Sequence, residues 1–349
     1  MKTIVTGKDI KEAIKLLKSE KVIVNAKDNK TEMIMNEITK DNENITLIKE
    51  LNGKVENEGT TVIDNNIMKL IKNNDDVTIE NEQLSFGKRK VKFNNSECDF
   101  KELNSEGEKL LELTKEEYAH IISGMYAISK EEYRPVLKKV SFENENGKLR
   151  VVCLDGYRVT IRKLNKDFNC ELLIDTYVLK VLDKIKFNTV EMLFNEEQKE
   201  IIFKTNNGYK LITRQFEGTR ILVDQLLPSL EEEKELKYKT ELNIKELLEI
   251  IESYSKDVKA FKMTFNDNKL TLESKESNYK LIDTCDIDYS LAEEFVVGYN
   301  PSYLKDMLKC FSKNKENEAI EYSTDSNVSL GIFRLDENIV DYILPIRLV

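Results

Sequence analysis

Six stretches of the chain carry apolar residues at intervals of three and four positions, the period of an α-helix with one buried face. In the first stretch, Ile10, Ile14 and Leu17 fall on the same side of such a helix. The six predicted helices cover residues 8–19, 64–73, 114–129, 175–186, 243–256 and 301–313. Because their starts recur every ~50–70 residues, the pattern indicates an internal repeat.

Residues that favour a helix start stand at several of these positions. Thr114 and Glu117 form a capping-box pattern, in which the hydroxyl and the carboxylate each accept a hydrogen bond from an amide that the helix leaves unpaired. Asn243 and Asn300 are the expected caps of the fifth and sixth helices, and Pro301 suits a first helical turn. The capping chemistry therefore agrees with the periodicity.

Between the helices, apolar and polar residues alternate, which is typical of strands with one buried face. Asn-Gly pairs at 146–147 and 207–208 predict hairpin turns, and Asn266-Asp267-Asn268 plays a similar part. One helix with several antiparallel strands, repeated six times, predicts an α+β fold. Two repeats form one domain.

The expected domains are residues 1–106, 107–229 and 230–349, and the first has a shortened N-terminal half. Each has about 115 residues, an ordinary domain size. Polar stretches at 101–112 and 229–241 are the expected linkers.

The chain has 349 residues, 40% apolar and 34% charged, a composition typical of a globular protein. No run approaches the ~20 apolar residues of a membrane span, and the first residues lack the apolar core of a signal peptide. The five cysteines are scattered, which is typical of reduced cysteines rather than of disulfides or a zinc site. We therefore expect a cytoplasmic protein without a membrane span, metal or cofactor.

The net charge of −10 argues at first against nucleic-acid binding. The charge is unevenly distributed, however: the six predicted helices sum to +4 and the rest of the chain to −14. A mildly basic helical surface suits loose, sequence-independent contact with phosphates. The alternative interpretation is that lysine is frequent in helices because it is a good helix former.

Three segments resemble the bacterial beta sliding clamps, the beta subunits of DNA polymerase III. The first is RPVLKKVSFE at 134–143 with LDGYRV at 154–159, where the family has Arg-Pro-x-Leu-x-x-Val-x-Phe and Thr-Asp-Gly-His-Arg-Leu. The second runs from Phe-Glu-Gly to Leu-Leu-Pro at 216–228. The third is VGYNPSYL at 297–304 with the terminal YILPIRL at 342–348, where the family ends in Met-Pro-Met-Arg-Leu.

The resemblance covers about residues 59–349, while residues 20–58 match poorly. It implies the DNA-clamp fold: a head-to-tail homodimer that closes a ring of six similar domains, with helices lining the hole. It also implies a processivity factor without its own catalytic site. The implied partners are double-stranded DNA of any sequence, the DNA polymerase III alpha subunit, the clamp loader and repair polymerases, which insert motifs rich in Gln, Leu and Phe.

The resemblance also implies site residues. The peptide pocket would use Arg134, Val136, Leu137, Leu154, Gly156, Tyr157, Arg158, Val159, Ile221, Leu226, Asn300, Tyr303, Leu344, Pro345, Ile346, Arg347 and Leu348. The DNA-facing candidates are Lys11, Lys15, Lys69, Lys72, Lys180, Lys184, Lys305 and Lys309. The dimer-interface candidates are Phe93, Ile251 and Tyr254.

The chain departs from the family at several pocket positions. It has Tyr157 where the family has His, Leu154 for Thr, Ile221 for Pro, Leu344 and Ile346 for two Met, and one extra residue, Val349. Leu and Ile are less flexible than Met, so we expect a stiffer and more selective pocket.

Two alternative functions follow from other readings of the sequence. Against an enzyme in general, the chain has one histidine, His120, inside a predicted helix, and no P-loop, Gly-x-Ser-x-Gly or Gly-x-Gly-x-x-Gly motif. A metal-dependent nucleic-acid enzyme would be built from scattered carboxylates, but acidic pairs such as Asp75-Asp76 fall in polar turns, where solvation explains them. We therefore predict no catalytic residues. A monomeric clamp-like adaptor would keep the fold but form no ring.

Overall fold

A computed structural model of the chain describes residues 1–40, 43–94, 106–254, 258–275, 280–289, 293–314 and 317–348. The α-helices are α1 (Gly7–Ala13), α2 (Asn65–Met68), α3 (Lys115–Ile122), α4 (Thr176–Lys184), α5 (Leu230–Lys234), α6 (Ile244–Ser253) and α7 (Pro301–Phe311). No helix among the described residues is long and apolar enough to cross a membrane.

The strands of the first half of the chain are β1 (Lys2–Thr6), β2 (Lys21–Lys27), β3 (Lys30–Ile38), β4 (Asn44–Leu51), β5 (Gly53–Asn57), β6 (Gly59–Asp64), β7 (Asp76–Glu80), β8 (Gln83–Phe86), β9 (Arg89–Lys92), β10 (Glu108–Thr114), β11 (Lys139–Glu145), β12 (Lys148–Leu154) and β13 (Arg158–Asp167). Those of the second half are β14 (Leu172–Asp175), β15 (Thr189–Asn195), β16 (Glu200–Thr205), β17 (Tyr209–Arg214), β18 (Tyr238–Asn243), β19 (Phe261–Asn266), β20 (Lys269–Lys275), β21 (Lys280–Asp286), β22 (Phe295–Tyr299), β23 (Ala319–Thr324), β24 (Gly331–Asp336) and β25 (Ile339–Ile343).

Six consecutive β-α-β-β-β repeats account for every described α-helix and strand except β5 and α5. All six predicted helices are confirmed, although α1 and α2 end earlier than the periodicity indicates. The third predicted helix changes at Ser123 into a 3-10 helix, Ser123–Ala127. There the backbone packs tightly on β13, since Thr160 Oγ1 donates to the Gly124 carbonyl at 3.1 Å and a Cβ on Gly124 would lie 2.3 Å from that hydroxyl.

The strand before each repeat helix runs directly into it, and in α2, α4, α6 and α7 a side chain at the junction caps the helix. The capping box is present, because the Thr114 amide donates to Glu117 at 2.8 Å and the Glu117 amide donates to Thr114 Oγ1 at 3.2 Å. Asn243 and Asn300 also cap their helices as predicted. The predicted linker at 229–241 was wrong in part: Ser229 forms a capping box that starts α5, and β18 begins at Tyr238.

The hairpin turns follow the predicted chemistry. Between β11 and β12, Asn146 and Gly147 have φ of 54° and 84°, and between β19 and β20, Asp267 and Asn268 have φ of 49° and 60°. These left-handed conformations are accessible to glycine and tolerated by Asn and Asp. Gly208 adopts φ 81° between β16 and β17.

The strands form four antiparallel sheets. Their orders are β5-β1-β7-β8-β9, β10-β15-β16-β17-β4-β3-β2-β6, β14-β11-β12-β13-β25-β24-β23-β18 and β21-β20-β19-β22. Each eight-stranded sheet joins the three-strand meanders of two repeats edge to edge, through β17–β4 in one and β13–β25 in the other.

The chain divides into two compact units. The first unit contains Met1–Ala119 and Ile174–Phe216, and the second contains His120–Leu173 and Glu217–Val349. The three-domain division and its boundaries stay predictions. In the second unit, aromatic side chains dominate the core between the helices and the sheets; Tyr299 and Tyr322 share a hydrogen bond of 3.0 Å between their hydroxyls, and Phe333 packs on both rings.

The cap of α6 offers a direct test of the repeat junction. Asn243→Ala removes the acceptor that the Glu246 amide uses at 2.9 Å, so we expect the free energy of unfolding to fall by about 1 kcal/mol. Chemical denaturation measures the change. Lys245→Ala, which removes an exposed side chain in the same turn, is the matched control, and an equal loss in both variants would contradict the capping role.

Candidate peptide-binding site

The floor of the candidate site is an apolar cluster on one face of the β14–β18 sheet in the second unit. Strands β12, β13, β24 and β25 contribute alternate residues, and Leu137 packs on them from a 3-10 helix, Pro135–Lys138. The buried members are Leu137, Val152, Leu154, Val159, Ile161, Val223, Ile332, Val340 and Tyr342. The cluster therefore contains Leu137, Leu154 and Val159 of the predicted pocket, together with half-buried Val136 and Ile221.

A tight turn between β12 and β13 positions the polar part of the site. The Asp155 carboxylate accepts hydrogen bonds from the amides of Tyr157 and Arg158, each at 3.0 Å. Gly156 has φ 92°, a conformation that favours glycine, and a Cβ there would lie 3.7 Å from the Arg134 guanidinium. The turn leaves Tyr157 56% exposed.

Arg158 connects this turn to α7 and to the 3-10 helix after α3. Its guanidinium binds Asp155 at 2.9 Å, Asp306 at 3.0 Å and the Tyr126 carbonyl at 2.7 Å. It also lies over the Tyr303 ring, 4.3 Å from the ring centroid. Because the side chain is only 8% exposed, these partners rather than water stabilise its positive charge.

The C-terminal segment forms another wall. The Leu344 amide donates to the Tyr157 carbonyl and the Ile346 amide donates to the Gly298 carbonyl, both at 2.8 Å. Leu344 and Leu348 remain 40% and 42% exposed. Pro345 and Arg347 lie in the same segment. Asn300 precedes α7, and its side chain caps that helix by accepting a hydrogen bond from the Ser302 amide.

Residues 217–228, which we name the strap, form the remaining wall. Ile221, Val223 and Leu227 pack on the floor, whereas Leu226 is 62% exposed. The strap is also held by charge: Arg150 on β12 donates to both carboxylate oxygens of Asp224, at 2.7 and 2.8 Å. This hydrogen bonding lowers the pKa of Asp224 below the ordinary carboxyl value, against the opposing effect of burial.

The site thus has a buried apolar floor and exposed apolar residues at its rim. Such an arrangement suits an extended peptide that buries a few apolar side chains and anchors its polar groups at the rim. The list of pocket residues implied by the resemblance omitted Val223, Tyr342 and Asp155, although all three lie in the segments that carry it. Strand alternation from Val340 could have indicated Tyr342, because the two side chains fall on the same face.

The lysines predicted to face DNA are at or near helices. Lys15, Lys69, Lys72, Lys180, Lys184 and Lys309 are exposed, and Lys11 and Lys305 are half-buried. The Lys11 ammonium donates to the Lys69 carbonyl at 2.9 Å, while Lys305 and Lys309 pair with Glu252 at 3.6 and 2.8 Å. Their role stays a prediction.

The predicted dimer residues differ in exposure. Ile251 and Tyr254 are 3% and 7% exposed and belong to the core of the second unit, so they offer little surface to another chain. The Tyr254 hydroxyl donates to Asp283 of β21 at 2.7 Å. Phe93 is half-buried and follows β9 directly. All three stay predictions.

Two features bear on an enzymatic alternative. Among the described residues, no group of three or more His, Cys, Asp or Glu side chains could hold a metal ion. The His120 ring nitrogen lies 2.9 Å from the Lys163 carbonyl, and burial lowers the pKa of this histidine. The ring therefore has a structural partner in the second unit.

Comparison with known proteins gives relatives in sequence and in structure. No family model matches the chain. The beta sliding clamps of Streptococcus pneumoniae and Bacillus subtilis are each 26% identical, over 237 and 241 residues, which is 64% of this chain. The matched region spans 60% of the length of each of these relatives.

Solved structures are similar over the full length of both chains. A putative DNA polymerase III beta subunit of Eubacterium rectale has a TM-score of 0.86 at 21% identity, and the beta subunit of Thermotoga maritima has 0.82 at 20%. The beta subunit of Pseudomonas aeruginosa has 0.84 at 14%. The predicted α+β DNA-clamp fold is confirmed.

Arg158 provides a test of the site's internal support. Arg158→Lys keeps the charge but cannot bind Asp155, Asp306 and the Tyr126 carbonyl together, so we expect a loss of about 2 kcal/mol in the free energy of unfolding. Denaturant unfolding measures it. The matched control is Arg134→Lys at an exposed position, for which we expect little change; equal effects would contradict the role given to Arg158.

Proposed function

Because this chain is a divergent member of the beta sliding clamp family, we propose that it is a DNA sliding clamp without a catalytic site of its own. It would encircle double-stranded DNA of any sequence, in the cytoplasm, and tether a replicative polymerase and other proteins to it. The observation that carries the proposal is the peptide site of the second unit, which combines a buried apolar floor with an exposed rim on this fold.

The proposed partners are the DNA polymerase III alpha subunit, the clamp loader and repair polymerases. Each would insert a Gln/Leu/Phe-type motif between the strap and the C-terminal segment. Leucine and phenylalanine side chains of the motif would cover Leu226 and Leu344, and burial of such exposed apolar surface supplies most of the binding free energy. Arg134 and the exposed Tyr157 would face the polar residues of the motif.

A ring requires two copies to meet head to tail, and two open sheet edges support such a contact. Strand β9 ends the five-stranded sheet and β21 ends the four-stranded sheet. The β9 edge is basic, with exposed Lys88, Arg89, Lys90 and Lys92, whereas exposed Asp286 and Asp288 lie at the end of β21. An open edge can pair with another chain, and opposite charges favour that pairing over self-association of like edges.

Topology rather than affinity would hold the clamp on DNA. Weak lysine–phosphate contacts, which weaken further as the salt concentration rises, allow a closed ring to slide. The exposed lysines of α4 and α7 and those around α1 and α2 are the proposed contacts.

The pocket is tested by truncating its rim. Leu226→Ala and Leu344→Ala remove exposed side chains, so we expect the fold to stay intact while the Kd for a fluorescent Gln-Leu-Ser-Leu-Phe peptide rises about 5- to 30-fold. Fluorescence anisotropy measures the Kd. Val328→Ala, at a 70% exposed apolar position outside the pocket, is the control. Unchanged binding in both rim variants would contradict the proposed pocket.

The ring is tested by mass and by retention on DNA. The wild-type chain should have twice the mass of one 40.6 kDa copy by light scattering and should remain on circular DNA but leave the same DNA after linearisation. The triple variant Lys88→Glu, Lys90→Glu and Lys92→Glu makes the β9 edge acidic, so that it repels the acidic end of β21. This variant should be monomeric and should not be retained on circular DNA. Adding Asp286→Lys and Asp288→Lys should restore both properties.

Three outcomes would count against the clamp. A monomeric wild type that still binds the peptide would favour the clamp-like adaptor. Equal retention on circular and linear DNA would contradict encirclement. Metal-dependent cleavage of the DNA by the purified protein would favour the nucleic-acid enzyme.

A further inference from the structure

A cluster of buried charges lies beside the peptide pocket, on the same face of the β14–β18 sheet. Arg150 on β12 is opposite Glu143 on β11, and its guanidinium donates to Glu143 Oε2 at 2.6 and 3.0 Å. The Glu143 side chain is 1% exposed and also accepts from Ser141 Oγ at 2.8 Å. A buried carboxylate needs such partners, so Glu143 holds the arginine in one orientation.

Arg150 also binds the strap. Its two terminal nitrogens, Nη1 and Nη2, donate to Asp224, whose side chain is 63% exposed, and Nη1 donates in addition to Glu145 of β11 at 3.3 Å. A second arginine, Arg220 of the strap, pairs with Glu143 at 3.4 Å and with Glu171 at 2.9 Å. The strap is therefore tied to the sheet at two points by charged groups.

Asp224 sits within the 3-10 turn Val223–Gln225, the part of the strap that enters the floor of the pocket. Its neighbour Val223 is fully buried, and the Val223 carbonyl accepts hydrogen bonds from the amides of Leu226 and Leu227 at 2.8 and 3.0 Å. The orientation of this turn thus determines where Leu226 and Leu227 stand at the rim.

We propose that Arg150 and Asp224 are positioning residues for partner binding: their paired hydrogen bonds fix the strap as a preformed wall of the pocket and thereby set the lifetime of a bound peptide. This inference rests on the proposed function of the pocket. Apolar packing by Ile221, Val223 and Leu227 covers the floor but does not fix the orientation of the strap on the sheet. The planar guanidinium of Arg150, held by Glu143, fixes that orientation through its directional hydrogen bonds to Asp224. A wall formed in advance lowers the ordering cost of binding, and this shows mainly in the dissociation rate.

Asp224→Asn is the informative change, because the side chain is largely exposed and its loss leaves the Arg150–Glu143 pair intact. Hydrogen–deuterium exchange of the strap amides reports its opening without any ligand. We expect the amides of Leu226 and Leu227 to exchange about 3- to 10-fold faster, a range that allows for solvent screening of a half-exposed pair. Asp167→Asn, which breaks the Lys148–Asp167 pair of 2.8 Å elsewhere in the second unit, is the matched control.

The second measurement is the dissociation rate of the fluorescent Gln-Leu-Ser-Leu-Phe peptide by stopped flow. We expect it to rise about 3- to 10-fold in Asp224→Asn with little change in association rate, and to recover toward wild type in Asp224→Glu, which retains the charge. A purely structural role would change the unfolding free energy without separating the two rates.

The outcomes separate the inference from the function on which it rests. A wild-type chain that does not bind the peptide contradicts the proposed pocket, whatever the strap does. A wild type that binds, with strap exchange or peptide dissociation unaltered in Asp224→Asn, overturns the positioning role and leaves the pocket standing.

Discussion

Burial on both faces of one antiparallel sheet is the constraint on which the site depends. Strands β11 and β12 bury most of their residues and β13 buries its first five, so the β14–β18 sheet needs a cover on each side. Helices and aromatic side chains cover one face. On the other face, residues 134–138 and the strap pack on the apolar cluster, and the C-terminal segment is hydrogen-bonded to Tyr157 and Gly298 beside them.

Charged side chains fix the positions of these irregular segments. Apolar packing alone is not directional, and loops without regular hydrogen bonding have many similar positions on an apolar surface. Arg158 fixes the β12–β13 turn to α7, and Arg150 fixes the strap to β11. Both guanidiniums are 8% exposed, and removal of either would take the nearest cation from a buried carboxylate, Glu143 in one case and Asp155 in the other. Directional contacts of buried cations thus convert an apolar face into a shaped site.

The same repeat yields surfaces of different character. Each unit combines helices capped at a strand end with meanders joined edge to edge, and the junctions β17–β4 and β13–β25 remove edges that would otherwise be exposed. Two of the outer strands that remain, β9 and β21, carry charged residues of opposite sign. Charged edges resist aggregation between like edges and leave one combination favoured.

Much of this organisation follows from the sequence alone. Helix periodicity, the caps at Thr114, Asn243 and Asn300, and the Asn-Gly turn at 146–147 are local features, since each depends on residues within one turn of the chain. Ordered motifs identified the fold, and the pocket positions that they imply stay predictions. The early ends of α1 and α2 and the start of α5 departed from expectation, because tertiary packing decides where a short helix stops.

Only the tertiary structure decided the rest. Ile251 and Tyr254, which the resemblance places at a dimer interface, are largely buried in the core of the second unit. Tyr342 reaches the pocket floor because β25 pairs with β13 across more than 170 residues of chain. Asp224, an ordinary acidic residue in the sequence, gains its partners from β12. Which residues meet across long separations is determined by strand pairing and by buried charge compensation, and neither leaves a periodic trace in a single chain.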